Sequence, residues 1–310
     1  MNTARSLPDT QQELRGELRR DVPLSEFTSW RVGGPADRLY LPADLADLRN
    51  FLSTLEPREP VFWLGLGSNL LIRDGGLRGT VICTKGRLKE LKRLDGNRIY
   101  VEAGVPCAHV AKFAAREQLG GAEFMAGIPG TLGGALAMNA GAFGGETWPL
   151  VESVLTCDRS GQVYERGARE FTVGYRRVKG VPGEWFLAAE IRLAPDVDAQ
   201  GGERIRDLLA RRAATQPTHL PSCGSVFRNP EGDHAARLIE SCDLKGQRIG
   251  GAEVSPKHAN FIVNTGGASA ADIEALVQLV QTRVETVCGV RLEPEVRIVG
   301  EPLNNSMEAV

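Results

Sequence analysis

The chain has 310 residues, enough for one to three domains with buried cores, and 37 basic against 39 acidic residues leave a net charge of −2. That balance excludes a general polyanion binder, and a content of 25% charged and 42% hydrophobic residues excludes wholesale disorder. No apolar run approaches the ~18 residues of a membrane helix; the richest stretch, residues 61–72, is broken by Gly65, Gly67, Ser68 and Asn69.

Residues 1–21 are polar, without an apolar signal segment, and are expected to form a leader on a cytoplasmic protein. Residues 37–41 read as a strand. Asp44 is placed to cap a helix whose Leu45, Leu48, Phe51 and Leu52 share one face. Strands are expected over residues 60–64, 80–83 and 98–101. Pro106 suits the first turn of a helix running to Gln118, stopped by Gly120 and Gly121. Residues 151–157, 162–165 and 185–193 read as an antiparallel set. Residues 194–202 (APDVDAQGG) are soft and mark a domain boundary, followed by a charged helix over 203–214. Near the C-terminus Ser269 and Asp272 form a capping box. Ile273, Leu276, Val277, Val280, Val284 and Val287 recur at helical spacing, and Gly289 ends the run.

The six cysteines (83, 107, 157, 223, 242 and 288) include no Cys-x-x-Cys pair and read as reduced, mostly core residues. The four histidines are scattered, so no metal site is expected.

Glycine is in excess: 36 residues, about 12% against a usual ~7%. Five fall in residues 65–79 (GLGSNLLIRDGGLRG) and seven in 127–145 (GIPGTLGGALAMNAGAFGG). Dense glycine lets backbone adopt positive φ and turn amide N–H groups toward an anion. Either window alone reads equally as a loop of tight turns. Two of them, each after a β-like run, point to a phosphate-bearing cofactor. A dinucleotide βαβ fingerprint is disfavoured, because Leu70 stands where its third glycine belongs and residues 70–76 look like strand and turn.

The pattern resembles the flavin-binding domain of the p-cresol methylhydroxylase and vanillyl-alcohol oxidase superfamily. Within it the chain is similar to the UDP-N-acetylenolpyruvoylglucosamine reductase family over about residues 22–300. The likeness rests on residues 28–34 (TSWRVGG), 65–71 (GLGSNLL), 127–134 (GIPGTLGG), 138–142 (MNAGA), 174–176 (GYR), 224–230 (GSVFRNP) and 294–297 (PEVR), in that order. It implies an α+β fold, with a two-part FAD-binding region over 22–200 (about 22–85 and 86–200). A C-terminal α+β substrate-binding domain over 201–302 and a tail over 303–310 follow.

The resemblance further implies FAD cradled by Gly65, Leu66, Gly67, Ser68, Asn69 and Leu70 and by Gly127, Ile128, Pro129, Gly130, Thr131, Gly133 and Gly134. The flavin is expected to be held without a covalent bond: relatives that attach it use a histidine or cysteine near the pyrophosphate loop, and residues 65–72 contain neither. NADPH is the implied co-substrate and a UDP-sugar the implied substrate. No nucleic acid or membrane insertion is expected, and a monomer is favoured. The implied reaction is conjugate hydride addition to an enolpyruvyl ether, with Ser225 giving a proton to the α carbon and Arg176 and Glu295 polarising the carboxylate. Tyr175 and Asn229 fall at substrate-side positions.

Each assignment has a plain alternative. Ser225 also reads as a turn serine, Arg176 as part of a solvated run with Arg177 and Lys179, and Glu293 competes with Glu295. Asn229 before proline reads as a turn, and His258 as a satisfied histidine. Two other functions fit the glycine windows: an FAD oxidase of an alcohol or hydroxy acid, and a silent UDP-sugar-binding protein. Arg176 and Ser225 are only 49 positions apart, and the residues between them include no tyrosine. That favours a short family class without a folded lid, in which substrate is retained by fixed contacts or by rotation of the C-terminal domain about 194–202.

Overall fold

Strand β1 (Glu17–Pro23) opens the part of the chain that the computed structural model describes, residues 13–303, and it occupies positions expected to belong to the leader. The rest of that leader, and most of the expected tail, lie outside the described residues. Polar composition misleads at β1 because only Val22 is buried; a strand at a sheet edge needs few apolar anchors. Strand β2 (Pro35–Leu41) leads to helix α1 (Leu45–Ser53), where the Asp44 carboxylate accepts from the Asp47 amide and Leu48, Phe51 and Leu52 are buried. Strands β3 (Val61–Leu64), β4 (Leu70–Ile72) and β5 (Leu77–Cys83) bracket the first glycine window. β3 and β5 run parallel, Val61 opposite Thr80, in a sheet of order β1–β2–β5–β3.

Strands β6 (Leu91–Arg93) and β7 (Arg98–Glu102) precede helix α2 (Cys107–Arg116). The helix stops two residues before the expected Gln118, which takes a left-handed φ of 54°. The short β8 (Leu119–Gly120), helix α3 (Leu132–Met138) and the pair β9 (Gly141–Ala142) and β10 (Gly145–Glu146) follow. Then come β11 (Val151–Cys157), β12 (Val163–Gly167), the hairpin β13 (Thr172–Gly174) and β14 (Arg177–Lys179), and β15 (Trp185–Arg192). The chain continues through β16 (Ala194–Pro195), α4 (Gly201–Thr215), α5 (Ala235–Ser241), β17 (Arg248–Ile249), β18 (Ala252–Val254), β19 (Ile262–Asn264), α6 (Ala270–Cys288) and β20 (Arg297–Val299). The class is α+β, as the sequence suggests.

Two units divide the chain, and neither is one continuous stretch. The first takes residues up to 19, 39–66 and 80–210; the second takes 20–38, 67–79 and 211 onward. The first holds the antiparallel sheet β12–β11–β15–β7–β6, containing the expected set. Its core joins Ile99 and Val101 of β7 to Val110 and Ala114 of α2, Leu132 and Leu136 of α3, Val154 and Ile191. In the second unit β17–β18–β19 and α6 share a core of Ala252, Val254, Ile262, Ile273, Leu276, Val280 and Val284. Trp30, from the chain's beginning, is completely buried there, and its indole N–H donates to the Ile262 carbonyl at 2.7 Å. β20 runs parallel to β4, Arg297 opposite Leu70.

Three expectations need correction. The soft segment 194–202 is pinned. β16 pairs with β8, and Asp196 accepts from the Gly201 amide at 2.7 Å and binds Arg204 at 2.8 Å. The chain passes between units inside α4 instead, at 210–211, so the boundary lies in a helix that composition shows as continuous. Helix α6 has its capping box, Ser269 and Asp272 each accepting from the other's amide at 3.0 Å, and its end at Gly289, φ 69°. Val287 does not join its apolar stripe; it is 52% exposed, and the stripe continues from Val284 to the partly buried Cys288, one turn on, instead.

Candidate active site

The two glycine windows do different things locally. Gly65 ends β3 pressed against Thr131: a Cβ there would stand 2.4 Å from Thr131 Oγ1. Thr131 precedes α3 and is 1% exposed, and its hydroxyl has no hydrogen-bond partner among the described residues. The first amides of α3 are taken, Leu132 by the Val105 carbonyl and Gly133 by that of Ala103, both at 2.9 Å. The orphaned hydroxyl has unused capacity, and a cofactor phosphate oxygen suits it. Gly133 serves packing, since a Cβ would fall 2.9 Å from that of Ala103; Gly127 lies under the Phe143 ring in the same way. Ile128 is buried in the core, whereas Pro129 and Gly134 are exposed. Gly67 has φ 60°, and a Cβ there would strike the Phe27 carbonyl at 2.4 Å. Leu66 and Ser68 are half-buried.

Asn69 holds a catalytic candidate. Its side-chain amide donates to the Glu295 carbonyl at 3.1 Å, and its own carbonyl accepts from the Arg297 amide at 3.0 Å. The Glu295 amide donates in turn to the Val226 carbonyl at 2.7 Å, and the Arg228 amide to that of Glu293 at 2.9 Å. The loop carrying Ser225 and the segment carrying Glu295 are thus stitched together within the second unit, with half-buried Ser225 one residue before the stitch. Gly224, φ 80°, turns the chain into it. Burial raises the Cys223 thiol pKa, and the negative charge of Glu295 raises it further. Glu293 is exposed, whereas Glu295 is half-buried.

Asn260 clamps the other side of the loop. Its carboxamide accepts from the Phe227 amide at 2.9 Å and donates to the Phe227 carbonyl at 2.8 Å, while its carbonyl accepts from the Val226 amide at 2.9 Å. The sequence reading missed it; an asparagine in the otherwise apolar run AlaAsnPheIleVal was the available signal. His258 is structural, as the plain alternative has it. Burial holds its pKa below the usual value, its ring nitrogen accepts from the Asn260 amide at 3.3 Å, and it meets Phe261 edge-on. Asn229 is exposed and accepts from the Ala235 amide at the start of α5.

Arg176 lies in the first unit, in the two-residue turn Tyr175–Arg176 of the β13–β14 hairpin. It is no member of a solvated run: Arg177 and Lys179 are exposed, but Arg176 is half-buried, at φ 52°, and donates to the Gly141 carbonyl at 3.1 Å. Tyr175 is 55% exposed, its ring 5.7 Å from that guanidinium. The hairpin is fastened by Asn139, 1% exposed and left-handed at φ 46°. Asn139 donates to Gly174 and Glu146 and accepts from the Trp148 amide. The interval from Arg176 to Ser225 holds only β14, β15, β16 and α4.

A family model described as FAD binding domain matches residues 36–167, and one described as UDP-N-acetylenolpyruvoylglucosamine reductase, C-terminal domain, matches 216–299. UDP-N-acetylenolpyruvoylglucosamine reductase of Methylococcus capsulatus is 63% identical, covering 97% of this chain and 99% of the relative. That of Alkalilimnicola ehrlichii is 60% identical, covering 92% and 96%. The crystal structure of UDP-N-acetylenolpyruvylglucosamine reductase from Thermus caldophilus, 34% identical, superposes with a TM-score of 0.78 over 92% of this chain and 98% of that one.

Proposed function

Because this chain belongs to the UDP-N-acetylenolpyruvoylglucosamine reductase family, we propose that it uses NADPH to reduce the enolpyruvyl ether of a UDP-N-acetylglucosamine derivative to UDP-N-acetylmuramate. It is an FAD-dependent oxidoreductase of peptidoglycan precursor synthesis. When bound, FAD supplies the hydride that reaches the terminal methylene carbon of the enolpyruvyl group, having taken it from NADPH. Residues 65–70, 127–131, 133 and 134 would hold the cofactor, the Thr131 hydroxyl donating to a phosphate oxygen, with no covalent bond.

The chain's own groups deal with charge and proton. Hydride arrival at the methylene end pushes electron density toward the carboxylate, and the Arg176 guanidinium meets that charge with a fixed fork of donors. Glu295 polarises the same end of the substrate. Ser225 Oγ delivers a proton to the α carbon. A free serine hydroxyl is a very weak acid, so this role requires a held position, and the supporting observation is the 2.7 Å bond from the Glu295 amide to the Val226 carbonyl next door. Tyr175 and Asn229 are assigned to the UDP-sugar, Asn229 also starting α5. With no added fold between Arg176 and Ser225, substrate is retained without a separate lid.

The decisive measurement is NADPH oxidation by the purified yellow protein with and without the enolpyruvyl UDP-sugar. Dependence on that sugar is the expected result. Oxygen consumption with an alcohol or hydroxy acid and no NADPH, or a colourless protein, would overturn the reading. Acid precipitation should leave the yellow colour in the supernatant; a yellow pellet would contradict non-covalent binding.

A further inference from the structure

Away from the candidate active site, α5 and α6 end side by side on two cysteines. Cys242 directly follows α5, and Cys288 is the last residue of α6. Their sulfurs are 3.6 Å apart, although 46 positions separate them in sequence, and the Ser241 hydroxyl lies 3.7 Å from the Cys288 sulfur. Both helices turn immediately afterward through left-handed residues, Asp243 at φ 55° and Gly289 at φ 69°. The pair opens onto solvent: Cys288 is half-exposed, and Cys242 lines a groove of about 790 Å³ with Leu244, Leu279, Thr282, Arg283 and Thr286. Cations flank it, since Arg283 acts electrostatically on the Cys242 thiol and Arg237 senses Cys288. The other four cysteines are buried, and burial pushes the Cys107 thiol up to about 12.

We propose that Cys242 and Cys288 form a peroxide-responsive dithiol, closing to an intramolecular disulfide that joins the C-terminal ends of α5 and α6. Cys288, the more exposed, attacks as thiolate one oxygen of a hydroperoxide; the O–O bond breaks and a hydroxide or alkoxide leaves, taking a proton to become water or alcohol. Cys242 then attacks the resulting sulfenic sulfur, the S–O bond breaks, and water departs with the Cys242 proton. Two thiols are oxidised by two electrons, and one peroxide is reduced. The sulfurs need close by only about 1.5 Å to reach a bond of ~2.05 Å. Burial and the neighbouring Cys288 raise the Cys242 thiol pKa, which suits it to the resolving rather than the attacking role.

The test uses the intact flavoprotein with equimolar hydrogen peroxide, then alkylation and non-reducing peptide mass mapping. Two thiols of the six should be lost, with one cross-linked peptide joining Cys242 to Cys288, about 2 Da lighter than the two reduced peptides combined. Dithiothreitol should restore both. In Cys242→Ser, Cys288 should instead be trapped by dimedone as sulfenic acid. Persistence of both thiols in the wild type, oxidation of each to separate sulfinic acids, or cross-links through any of the four buried cysteines would overturn the proposal.

Discussion

Removing the carboxamide of Asn260 should separate loop positioning from cofactor chemistry. Asn260→Ala deletes the 2.9 Å bond from the Phe227 amide and the 2.8 Å bond to the Phe227 carbonyl, both in a residue only 2% exposed. Stranding one buried backbone group costs about 1–3 kcal/mol, so two cost about 2–6 kcal/mol unless water enters. The Val226 amide keeps its bond to the residue 260 backbone carbonyl, so the loop loosens rather than detaching. Ser225 sits two residues away. A displacement of an ångström at a reacting group costs on the order of 10²-fold. Reduction of the flavin by NADPH should proceed at its normal rate, while reoxidation by the enolpyruvyl UDP-sugar falls about 10–100-fold. Stopped-flow absorbance reads both half-reactions, and urea denaturation reads the stability. Asn260→Asp keeps an acceptor for the Phe227 amide but sets a buried carboxylate oxygen against the Phe227 carbonyl, so it should be at least as disruptive as alanine on both scales at neutral pH. Equal slowing of both half-reactions, or an alanine variant within about 0.5 kcal/mol of wild type, would refute the clamp.

Three further outcomes follow from the geometry. Ser225→Ala should leave flavin reduction near normal and slow substrate-driven reoxidation by ~10²–10⁴-fold, read by the same stopped-flow traces; the reverse pattern would remove Ser225 from the proton-donor role. Thr131→Val replaces a buried, unpartnered hydroxyl with a methyl, so the apoprotein should be at least as stable as wild type while FAD binds about 10–100-fold more weakly in a fluorescence titration. Unchanged FAD affinity would assign that hydroxyl elsewhere. Glu274 hydrogen-bonds Arg73 at 2.8 and 2.9 Å, and that bond holds its carboxyl below the ordinary 4.5. The folded-state pKa is depressed, so its stabilisation is present above pH 4.5 and is lost as pH falls through the lower folded value. Glu274→Gln should therefore lose less stability than wild type between pH 5 and 3 in urea titrations, and identical slopes would exclude the linkage.

Local rules carried the reading wherever the deciding partners are close in sequence. The caps at Asp44 and Ser269, the stop at Gly289 and the β11, β12 and β15 strands all follow from spacing and cap chemistry. Arg176, Ser225 and Glu295 are expected from the motif resemblance, but what fixes their loops is hidden in the sequence, because Asn139, Asn69 and Asn260 act on backbone distant in sequence. A single asparagine carries no periodicity, and its two-sided bonding shows only once both strands of chain are placed. The same limit explains the boundary: residues 194–202 look loose by composition, yet Asp196 finds Arg204 and Gly201 to hold them. Trp30 belongs to the motif at 28–34, and nothing local shows that its socket lies 232 residues away.

That distance sets an order of events during synthesis. At 5–20 residues per second the ribosome takes about 12–46 s to make the chain between Trp30 and Ile262. For that interval the indole has no native pocket, and the second unit cannot close. The strands β1 and β2 can pair early with β5, but the Trp30 indole waits for residue 262. A nascent chain stalled before residue 262 exposes a large aromatic to chaperones, and a fragment beginning at residue 201 emerges with a vacancy in its core. The early tryptophan works as a late-acting key, its place in the second unit waiting on residues made 232 positions later.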